Sequence, residues 1–263
     1  MNALPRLTTV NVTLSDPLIL AVDTSSKVTS LAIASGNKLL RSSGQLQDQK
    51  RSETLWSDVE SLLSGFGKTI SDVSLFGVCT GPGGFTGLRV GIAAVKGLSL
   101  ATGKPIVGVT SLEASAVSAE ASGLCCVMVN AYKGEVYSQL FALNGDDLPQ
   151  SKNEAMVSSY QKALERVSDI KKLTLAGDAV ETGNEIIQDF VASHQECEWV
   201  VKETRQELAV SIAKMAYLKN IRQAFDHPDT LRACYVRPSE AEIKLSLGLL
   251  GSKIKRSMRR EQS

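Results

Sequence analysis

LILAVDTSSKVTSLAIA, the stretch from residue 18 to residue 34, places two apolar runs on either side of a polar turn. Short apolar runs bounded by turn residues predict buried β-strands. The first run ends at Asp23, and the second ends at a Ser-Gly-Asn cluster at 35–37, after which Leu39 and Leu40 continue a third strand. Because few residues join the three strands, we expect an antiparallel meander.

The same pattern returns in the second half of the chain. An apolar run that begins at residue 124 ends in Asn130, a turn at Lys133 and Gly134 follows, and a second strand is predicted at 136–143. The two halves share the pattern of strands and turns but not identical residues. It predicts two lobes that each begin with a strand, a polar turn and a strand.

The rest of the chain alternates between helices and short strands. Apolar residues at helical spacing predict helices at 52–63, 85–101, 111–120, 160–167, 185–193 and 206–224. Short apolar runs predict further strands at 75–79, 105–109 and 173–176. Thr110 and Glu113 form a capping box at the start of the third helix. The last helix is expected to turn four residues inward: Leu208, Ile212, Met215 and Ile221.

The predicted fold class is α/β, with mixed sheets flanked by helices. The pattern divides the chain into an extension at 1–17, an N-terminal lobe at 18–121, a C-terminal lobe at 122–240 and a basic tail at 241–263. The extension is interpreted as loosely ordered, and a misassigned start codon is the alternative.

Composition predicts a folded, soluble protein without a strong global charge. The chain has 263 residues, of which 43% are apolar and 22% charged, and its formal net charge is +1. Such a charge provides no field that would hold a polyanion. The tail differs, because its six basic and two acidic residues give it +4. It could contact RNA phosphate or a partner protein, and a solvated chain end is the alternative.

Cysteine usage and the N-terminus indicate the compartment. The five cysteines are odd in number and none is in Cys-x-x-Cys spacing, which favours a reduced cytoplasm. The N-terminal extension contains no continuous apolar segment, and no apolar stretch of the chain is long enough to span a membrane. We therefore expect neither export nor membrane insertion.

The turn after the first strand carries Asp23, Thr24, Ser25 and Ser26. A carboxylate and three hydroxyls at a strand end could hold phosphate or magnesium. Phosphate loops usually use glycine so that backbone amides reach the anion, and this turn has none. A structural Asx or Ser turn is the alternative.

A glycine-rich loop at 81–87 leads into the helix at 85–101. Free amides at a helix N-terminus favour anions, but the Gly-Lys-Ser/Thr of a P-loop is absent. Three glycines, Gly87, Gly91 and Gly97, lie within the helix, and each costs roughly 1 kcal/mol relative to alanine. We therefore expect another backbone or helix to approach this one closely. It belongs either to the same chain or to a partner, and in the second case Arg89 and Lys96 line its polar flank.

The two histidines, His194 and His227, are not in metal-ligand spacing, and no nucleophile motif accompanies them. The sequence therefore nominates no catalytic residue and no metal site. Acid or base chemistry by Asp23, Asp178 or a glutamate stays open.

Four stretches together resemble the TsaB family, also called YeaZ. They are ILAVDTS at 19–25, GPGGFTGLRVG at 81–91, KGEVY at 133–137 and YVRPSEAE at 235–242. The resemblance extends over residues 18–243, and the glycine-rich stretch is its most specific part.

This resemblance implies a two-lobed actin-like ATPase fold of the ribonuclease H-like type that has lost its catalytic apparatus. TsaB-like proteins pair with TsaD, a homologue with metal-binding histidines that transfers threonylcarbamoyl to an adenosine of tRNA, and the ATPase TsaE joins them. The implied role is that of a non-catalytic subunit in a heterodimer. The same helix face that pairs with TsaD could form a homodimer when the partner is absent. The resemblance implies contact with tRNA either indirectly or through the tail. It implies no tightly bound cofactor, with ATP or ADP and magnesium only in the assembled complex.

In the family, helices of the N-terminal lobe form the pairing surface. Mapped onto this chain, the predicted partner-binding residues are Leu55, Val59, Leu62, Phe85, Thr86, Gly87, Arg89, Gly91, Ile92 and Lys96. Asp23, Thr24 and Ser25 then form a vestigial phosphate-type loop.

The chain departs from the family in two places. Asn130-Ala131-Tyr132 stands where many members have Asp-Ala-Arg, and residues 50–53 lack a histidine that many carry. Polar contacts that depend on those residues are not expected in this chain. Two other functions stay open, a stand-alone actin-like kinase that binds ATP near Asp23 and a metallopeptidase. The absence of ligand histidines disfavours the second.

Overall fold

The computed structural model describes residues 16–46, 51–204 and 207–237. The basic tail at 241–263 and most of the predicted extension lie outside these described residues, as do the predictions made for them.

The first sheet has five strands in the order β3-β2-β1-β4-β5. Their bounds are β1 (Leu18–Asp23), β2 (Val28–Ser35), β3 (Lys38–Leu46), β4 (Leu75–Gly81) and β5 (Ile106–Thr110). β1 to β3 pair antiparallel in succession, which confirms the predicted meander, whereas β4 lies parallel to β1 and to β5. β1 and β4 are central and covered on both faces, which is why both are continuous apolar runs.

The second sheet repeats this arrangement. It contains β6 (Gly123–Asn130), β7 (Glu135–Leu143), β8 (Gln150–Ser151), β9 (Met156–Ser159), β10 (Lys172–Ala176) and β11 (Glu198–Lys202). The order is β11-β10-β6-β7-β8, and β9 also pairs with β7. β6 is antiparallel to β7 and parallel to β10, which is parallel to β11. β6, β7, β10 and β11 therefore take the places of β1, β2, β4 and β5, and the predicted two-lobed repetition is confirmed.

Helices cover both sheets. Their bounds are α1 (Arg51–Ser64), α2 (Phe85–Thr102), α3 (Ser111–Ser118), α4 (Tyr160–Glu165), α5 (Ala179–Thr182), α6 (Asn184–Ala192) and α7 (Leu208–Ile221). α1 and α2 pack on one face of the first sheet and α7 on the other, while α4, α5 and α6 pack on the second sheet. α3 begins with the predicted capping box, in which the Glu113 amide donates to Thr110 Oγ1 and the Thr110 amide to Glu113 Oε2.

The last helix requires a correction to the predicted lobe boundary. α7 belongs to the predicted C-terminal lobe of 122–240, yet it packs on β1, β2 and β4 of the first sheet. The chain beyond it stays there, since Leu231 enters the first core and the Cys234 amide donates to the Thr80 carbonyl. Leu208, Ile212 and Met215 are buried as predicted. Ile221 is 59% exposed, so its inward placement was wrong.

Two ion pairs join α7 and the residue that follows it to the loop between β7 and β8. Lys214 contacts Asp146 at 2.8 Å, and Arg222 contacts Asp147. They connect an element packed on the first sheet to a loop of the second.

Within the described ranges, each helix is too short or too polar to cross a lipid bilayer.

Candidate functional site

The turn between β1 and β2 is held by hydrogen bonds within the chain. The Ser25 amide donates to Asp23 Oδ1 over 2.8 Å, and the Thr24 hydroxyl donates to the Gly87 carbonyl over 2.7 Å. Asp23 is fully buried, and its Oδ2 has no hydrogen-bond partner among the described residues. Burial raises the pKa of the Asp23 carboxyl because water no longer solvates the charged form, although hydrogen bonds from Ser25 oppose the shift. The motif is an Asx turn, which was the structural alternative to a phosphate site.

The glycine-rich loop packs directly on this turn. The Gly84 amide donates to the Ser25 carbonyl over 2.6 Å, and a Cβ atom on Gly83 would lie 2.4 Å from the same oxygen. The Ser111 hydroxyl donates to the Pro82 carbonyl over 2.6 Å. The two phosphate-type motifs of the sequence therefore contact each other.

These contacts do not fit a magnesium nucleotide. A phosphate loop needs backbone amides that point at the anion, and the Gly84 amide is taken by Ser25. Magnesium needs accessible oxygen ligands, whereas the Asp23 carboxyl is fully buried. In the part of the chain that is described, no group of three or more His, Cys, Asp or Glu side chains is arranged to hold a metal ion.

A cleft of about 240 Å³ separates the two lobes beside this turn. Ser25 and Lys27 line its first-lobe wall, and Tyr132 and Asp178 line its second-lobe wall. The Asn130 amide donates to Asp178 Oδ1 over 2.9 Å. Burial raises the pKa of the Asp178 carboxyl, and backbone hydrogen bonds from Asn130 oppose the shift. The cleft thus brings together polar groups from both lobes.

α2 turns one face to the core and the other to the solvent. Leu88, Ile92 and Val95 are buried. The exposed residues recur at helical spacing and include Phe85, Arg89, Ala93, Gly97 and Leu100, a set that we call the α2 ridge. Phe85 is 36% exposed and Leu100 is 63% exposed, and no acidic residue occurs in the helix.

The helix glycines have different explanations. A Cβ atom on Gly91 would lie 2.3 Å from Thr24 Oγ1, so this glycine allows a close approach within the same chain. Among the described residues Gly97 has no such neighbour, since no atom from outside its own stretch of helix lies within 4 Å of its Cβ position. Gly97 faces open space, where a partner helix could approach the backbone.

Four residues predicted to bind a partner lie in the core of this chain. Leu55, Val59, Leu62 and Ile92 are 3%, 2%, 5% and 7% exposed, and they pack with residues of the first sheet. The apolar stripe of each helix covers its own sheet, so these side chains present almost no surface to another protein. The structure corrects this part of the prediction. Among the described side chains of α1, the large apolar residue that points outward is Trp56, which is 43% exposed.

The other predicted partner residues divide in two. Phe85, Thr86 and Arg89 are exposed and Lys96 is half-buried, whereas Gly87 and Gly91 are buried. Their role in binding stays a prediction.

The segment after α7 adds a residue to the ridge that sequence reasoning missed. The Tyr235 ring stacks on Phe85 with centroids 5.2 Å apart, and Arg89 Nε donates to the Tyr235 hydroxyl over 3.2 Å. The Arg89 guanidinium lies 3.8 Å from the centroid of the Phe85 ring. Farther along the helix, Lys96 Nζ donates to the Leu231 carbonyl. Tyr235 lies in one of the four family-like stretches, which was the only signal for it.

The four family-like stretches meet around this region. The stretch at 19–25 packs on the stretch at 81–91, and Tyr235 packs on Phe85. Two residues farther on, Arg237 forms an ion pair with Glu135 of the stretch at 133–137. A resemblance that was spread along the sequence is therefore one connected region of the molecule.

Both histidines have local structural contacts. His194 stacks on Phe190 and Trp199, with centroids 4.3 Å and 5.3 Å away, and its Nδ1 lies 2.8 Å from the Phe190 carbonyl. His227 lies in an exposed turn, where its Nδ1 accepts the Asp229 amide over 3.2 Å.

Two similar mixed sheets flanked by helices, with a cleft between them, define a two-lobed α/β protein with the fold class that the resemblance implied. Residues 26–245 match the family model described as TsaD: tRNA N6-adenosine threonylcarbamoyltransferase. The match covers most of the chain, and the chain belongs to this family.

Individual relatives refine this assignment. The TsaB protein of Escherichia coli, strain K12, described as a tRNA threonylcarbamoyladenosine biosynthesis protein, is 30% identical over 122 residues, which are 45% of this chain and 52% of that protein. A tRNA N6-adenosine threonylcarbamoyltransferase of Thermodesulfovibrio yellowstonii is 35% identical over 111 residues, which are 36% of this chain and 33% of that protein. The chain therefore spans about a third to a half of these two relatives.

A solved structure shows the same fold. YeaZ from Pseudomonas aeruginosa superposes with a TM-score of 0.66 at 22% identity and covers 83% of this chain and 99% of that one. The resemblance to TsaB, or YeaZ, is thus confirmed by sequence relatives and by fold.

Proposed function

We propose that this chain is a non-catalytic subunit that binds and activates a TsaD-like catalytic homologue in the synthesis of threonylcarbamoyladenosine in tRNA. The observation that carries the proposal is the α2 ridge, an exposed helix face with a glycine open to solvent. Relatives named for tRNA threonylcarbamoyladenosine biosynthesis supply the pathway.

The composition of the ridge suits a protein interface. Aromatic residues and arginine carry much of the binding energy in many interfaces, and the ridge has Phe85 and Arg89 beside Tyr235. Their mutual stacking holds the side chains in place, which lowers the entropy lost on binding. Ala93 and Gly97 let a second helix approach closely. Because α2 carries only basic charges, the facing surface of the catalytic homologue should be acidic.

The intrachain contacts of the nucleotide-type motifs support a non-catalytic role. Asp23 is buried, and the Thr24 hydroxyl and the Gly84 amide are bonded within the chain. We therefore propose that the isolated chain binds ATP or ADP only weakly, and that nucleotide with magnesium enters only in the assembled complex. Calorimetry with ATP and magnesium tests this point, since tight binding by the isolated chain would instead favour a kinase.

The proposal includes two further contacts. A TsaE-like ATPase joins the heterodimer, and tRNA reaches the complex mainly through the catalytic homologue, with the basic tail as an additional contact. Deletion of residues 241–263 should then weaken tRNA binding by the complex without separating its two homologous subunits.

Reconstitution tests the function as a whole. The modification rate is measured on an unmodified tRNA transcript with the catalytic homologue and the TsaE-like ATPase, with and without this chain. We expect the rate to fall to background when the chain is omitted. A full rate without it would refute the proposal.

A further inference from the structure

The two sheets end in equivalent parallel strands, β5 and β11, and among the described residues only the edge of β5 is covered. Beside β5, the Asp226 amide donates to the Ile106 carbonyl over 2.9 Å, and the Gly108 amide donates to Asp226 Oδ2 over 2.7 Å. Lys219 Nζ donates to the Gly108 carbonyl. In the ranges that the structure describes, β11 pairs with β10 alone. An uncovered edge offers backbone groups to another strand.

The direction of these backbone groups follows from the pairing with β10. The Glu198 amide donates to the Lys171 carbonyl over 2.6 Å, so the backbone groups of Glu198 point toward β10. Backbone direction alternates along a strand. The N–H and C=O groups of Trp199 and Val201 therefore point away from the sheet.

The sequence of β11, EWVVK, is complementary to itself when reversed. Antiparallel pairing of two copies about Val200 places Glu198 of one copy opposite Lys202 of the other. Trp199 then lies opposite Val201, and the two Val200 side chains lie opposite each other. In this register Trp199 and Val201 are the residues whose backbone groups face the second copy, so each pair exchanges both hydrogen bonds.

The side chains of the strand suit this arrangement. Val200 is 52% exposed, which leaves an apolar residue between the two charged ones on the same face. Trp199 is held in place, since its Nε1 donates to the Ile170 carbonyl over 2.6 Å and its ring stacks with Phe190 and His194. A fixed aromatic residue loses little entropy when a cross-strand neighbour packs against it.

We propose that β11 is a self-association edge, through which two copies of this chain pair antiparallel about Val200 and join their second sheets into one. This contact uses no residue of the α2 ridge, so each copy keeps that surface for a different partner.

Sedimentation velocity over a range of protein concentrations tests the pairing. The wild-type chain is expected to form a dimer. Val201→Pro removes an outward N–H group at an edge position that tolerates proline, and should weaken the dimer about tenfold or more. Ala93→Glu, on the α2 ridge, is the matched control and should leave the dimer unchanged. A wild-type chain that stays monomeric at every concentration, or a dimer lost in Ala93→Glu but kept in Val201→Pro, overturns the proposal.

Charge reversal tests the register. Glu198→Lys and Lys202→Glu should each weaken self-association, because like charges then face each other across the two-fold axis. An equimolar mixture of the two variants should form a heterodimer again, since every facing pair is then complementary. Each variant also loses an exposed contact within its own chain, Glu198 with Lys172 or Lys202 with the Glu120 carbonyl. Mixing cannot restore those contacts, so stronger association in the mixture than in either variant alone can come only from the facing charges, and a mixture that associates no more strongly than the single variants would refute the register.

Discussion

The two lobes share one strand order but differ in the helices that follow the equivalent strands β4 and β10. In the first lobe, β4 leads through the glycine-rich loop into α2, a helix of 18 residues with an exposed ridge. In the second lobe, β10 leads into α5 and α6, which have 4 and 9 residues. The shorter helices pack on their own sheet and offer no comparable ridge. The framework is repeated in both lobes, but within the described ranges only the first lobe carries an exposed ridge of this kind.

The shared framework and the specialised surface should respond differently to substitution. The equivalent strands β4 and β10 are each ended or followed by a glycine with positive φ, 99° at Gly81 and 113° at Gly177. Glycines of the framework should tolerate no side chain, whereas the outward glycine of the ridge should tolerate one without loss of stability. We expect the effects to decrease from the framework glycines to the exposed ion pairs.

Gly177→Ala should have the largest effect on stability. A Cβ atom there would lie 2.0 Å from the Met128 carbonyl oxygen, and φ is already in the region that side chains avoid. We expect the free energy of unfolding in urea to fall by about 3 kcal/mol or more. Gly145→Ala is the control, because φ is 60° and, in the part of the chain that is described, no atom beyond its chain neighbours lies within 4 Å of its Cβ position. It should cost only about 1 kcal/mol. Equal losses in the two variants would contradict the steric explanation.

Gly91→Ala and Gly97→Ala form a matched pair within one helix. The first brings a methyl group against Thr24 and should destabilise the chain by about 1–3 kcal/mol. The second enters open space and should stabilise it by roughly 0.5–1 kcal/mol, because alanine favours helix. Urea unfolding of both proteins measures the difference. Similar changes of the same sign would show that Gly97 is also packed within the chain.

Asp23→Asn tests, through the pH dependence of stability, whether the buried Asp23 charge destabilises the folded chain. Burial raises the pKa of this carboxyl, so the folded state binds more protons than the unfolded state between the ordinary pKa and the raised one. Stability from this group is therefore present at low pH and is lost as pH rises through that window. Asparagine keeps the Ser25 hydrogen bond without the charge, so the variant should be more stable than the wild type at pH 7. That gain should shrink toward pH 4, and a gain independent of pH would show that burial of the charge is not its cause.

Asp146→Asn should have the smallest effect. Asp146 pairs with Lys214 between the lobes, but its side chain is 89% exposed. Water and salt screen exposed pairs, so we expect the midpoint of urea unfolding to stay within error of the wild type. A clear loss at moderate salt would show that this pair holds the lobes together more strongly than its exposure indicates.

Local sequence patterns predicted the framework better than the surface. The apolar runs of β1, β2, β6 and β7 and the capping box at Thr110 are local signals, and the structure confirms them. Leu55, Val59 and Leu62 show the limit, because an apolar stripe marks a buried face without showing whether its own sheet or a partner covers it. The inward placement of Ile221 was wrong because periodicity does not show where the packing of the helix against the sheet ends.

The long-range contacts of the ridge could not be predicted from local pattern. Tyr235 stacks on Phe85 across a large separation in sequence, and α7 returns to the first sheet after the second lobe has been completed. Contacts of this kind depend on the whole topology. The two phosphate-type motifs illustrate the same point, since their packing on each other is visible only in three dimensions.

The most direct test of the central claim is the affinity of this chain for the purified TsaD-like homologue, measured by titration calorimetry. Ala93→Glu places an acid in the middle of the ridge, and Ile186→Glu on α6 is the control, since Ile186 is 48% exposed in the other lobe. Circular dichroism serves to check that both variants are folded. We predict that Ala93→Glu weakens binding by about 1.4 kcal/mol or more, a tenfold change, while Ile186→Glu binds like the wild type. Wild-type affinity in Ala93→Glu, or an equal loss in both variants, would contradict the claim that the α2 ridge is the docking surface.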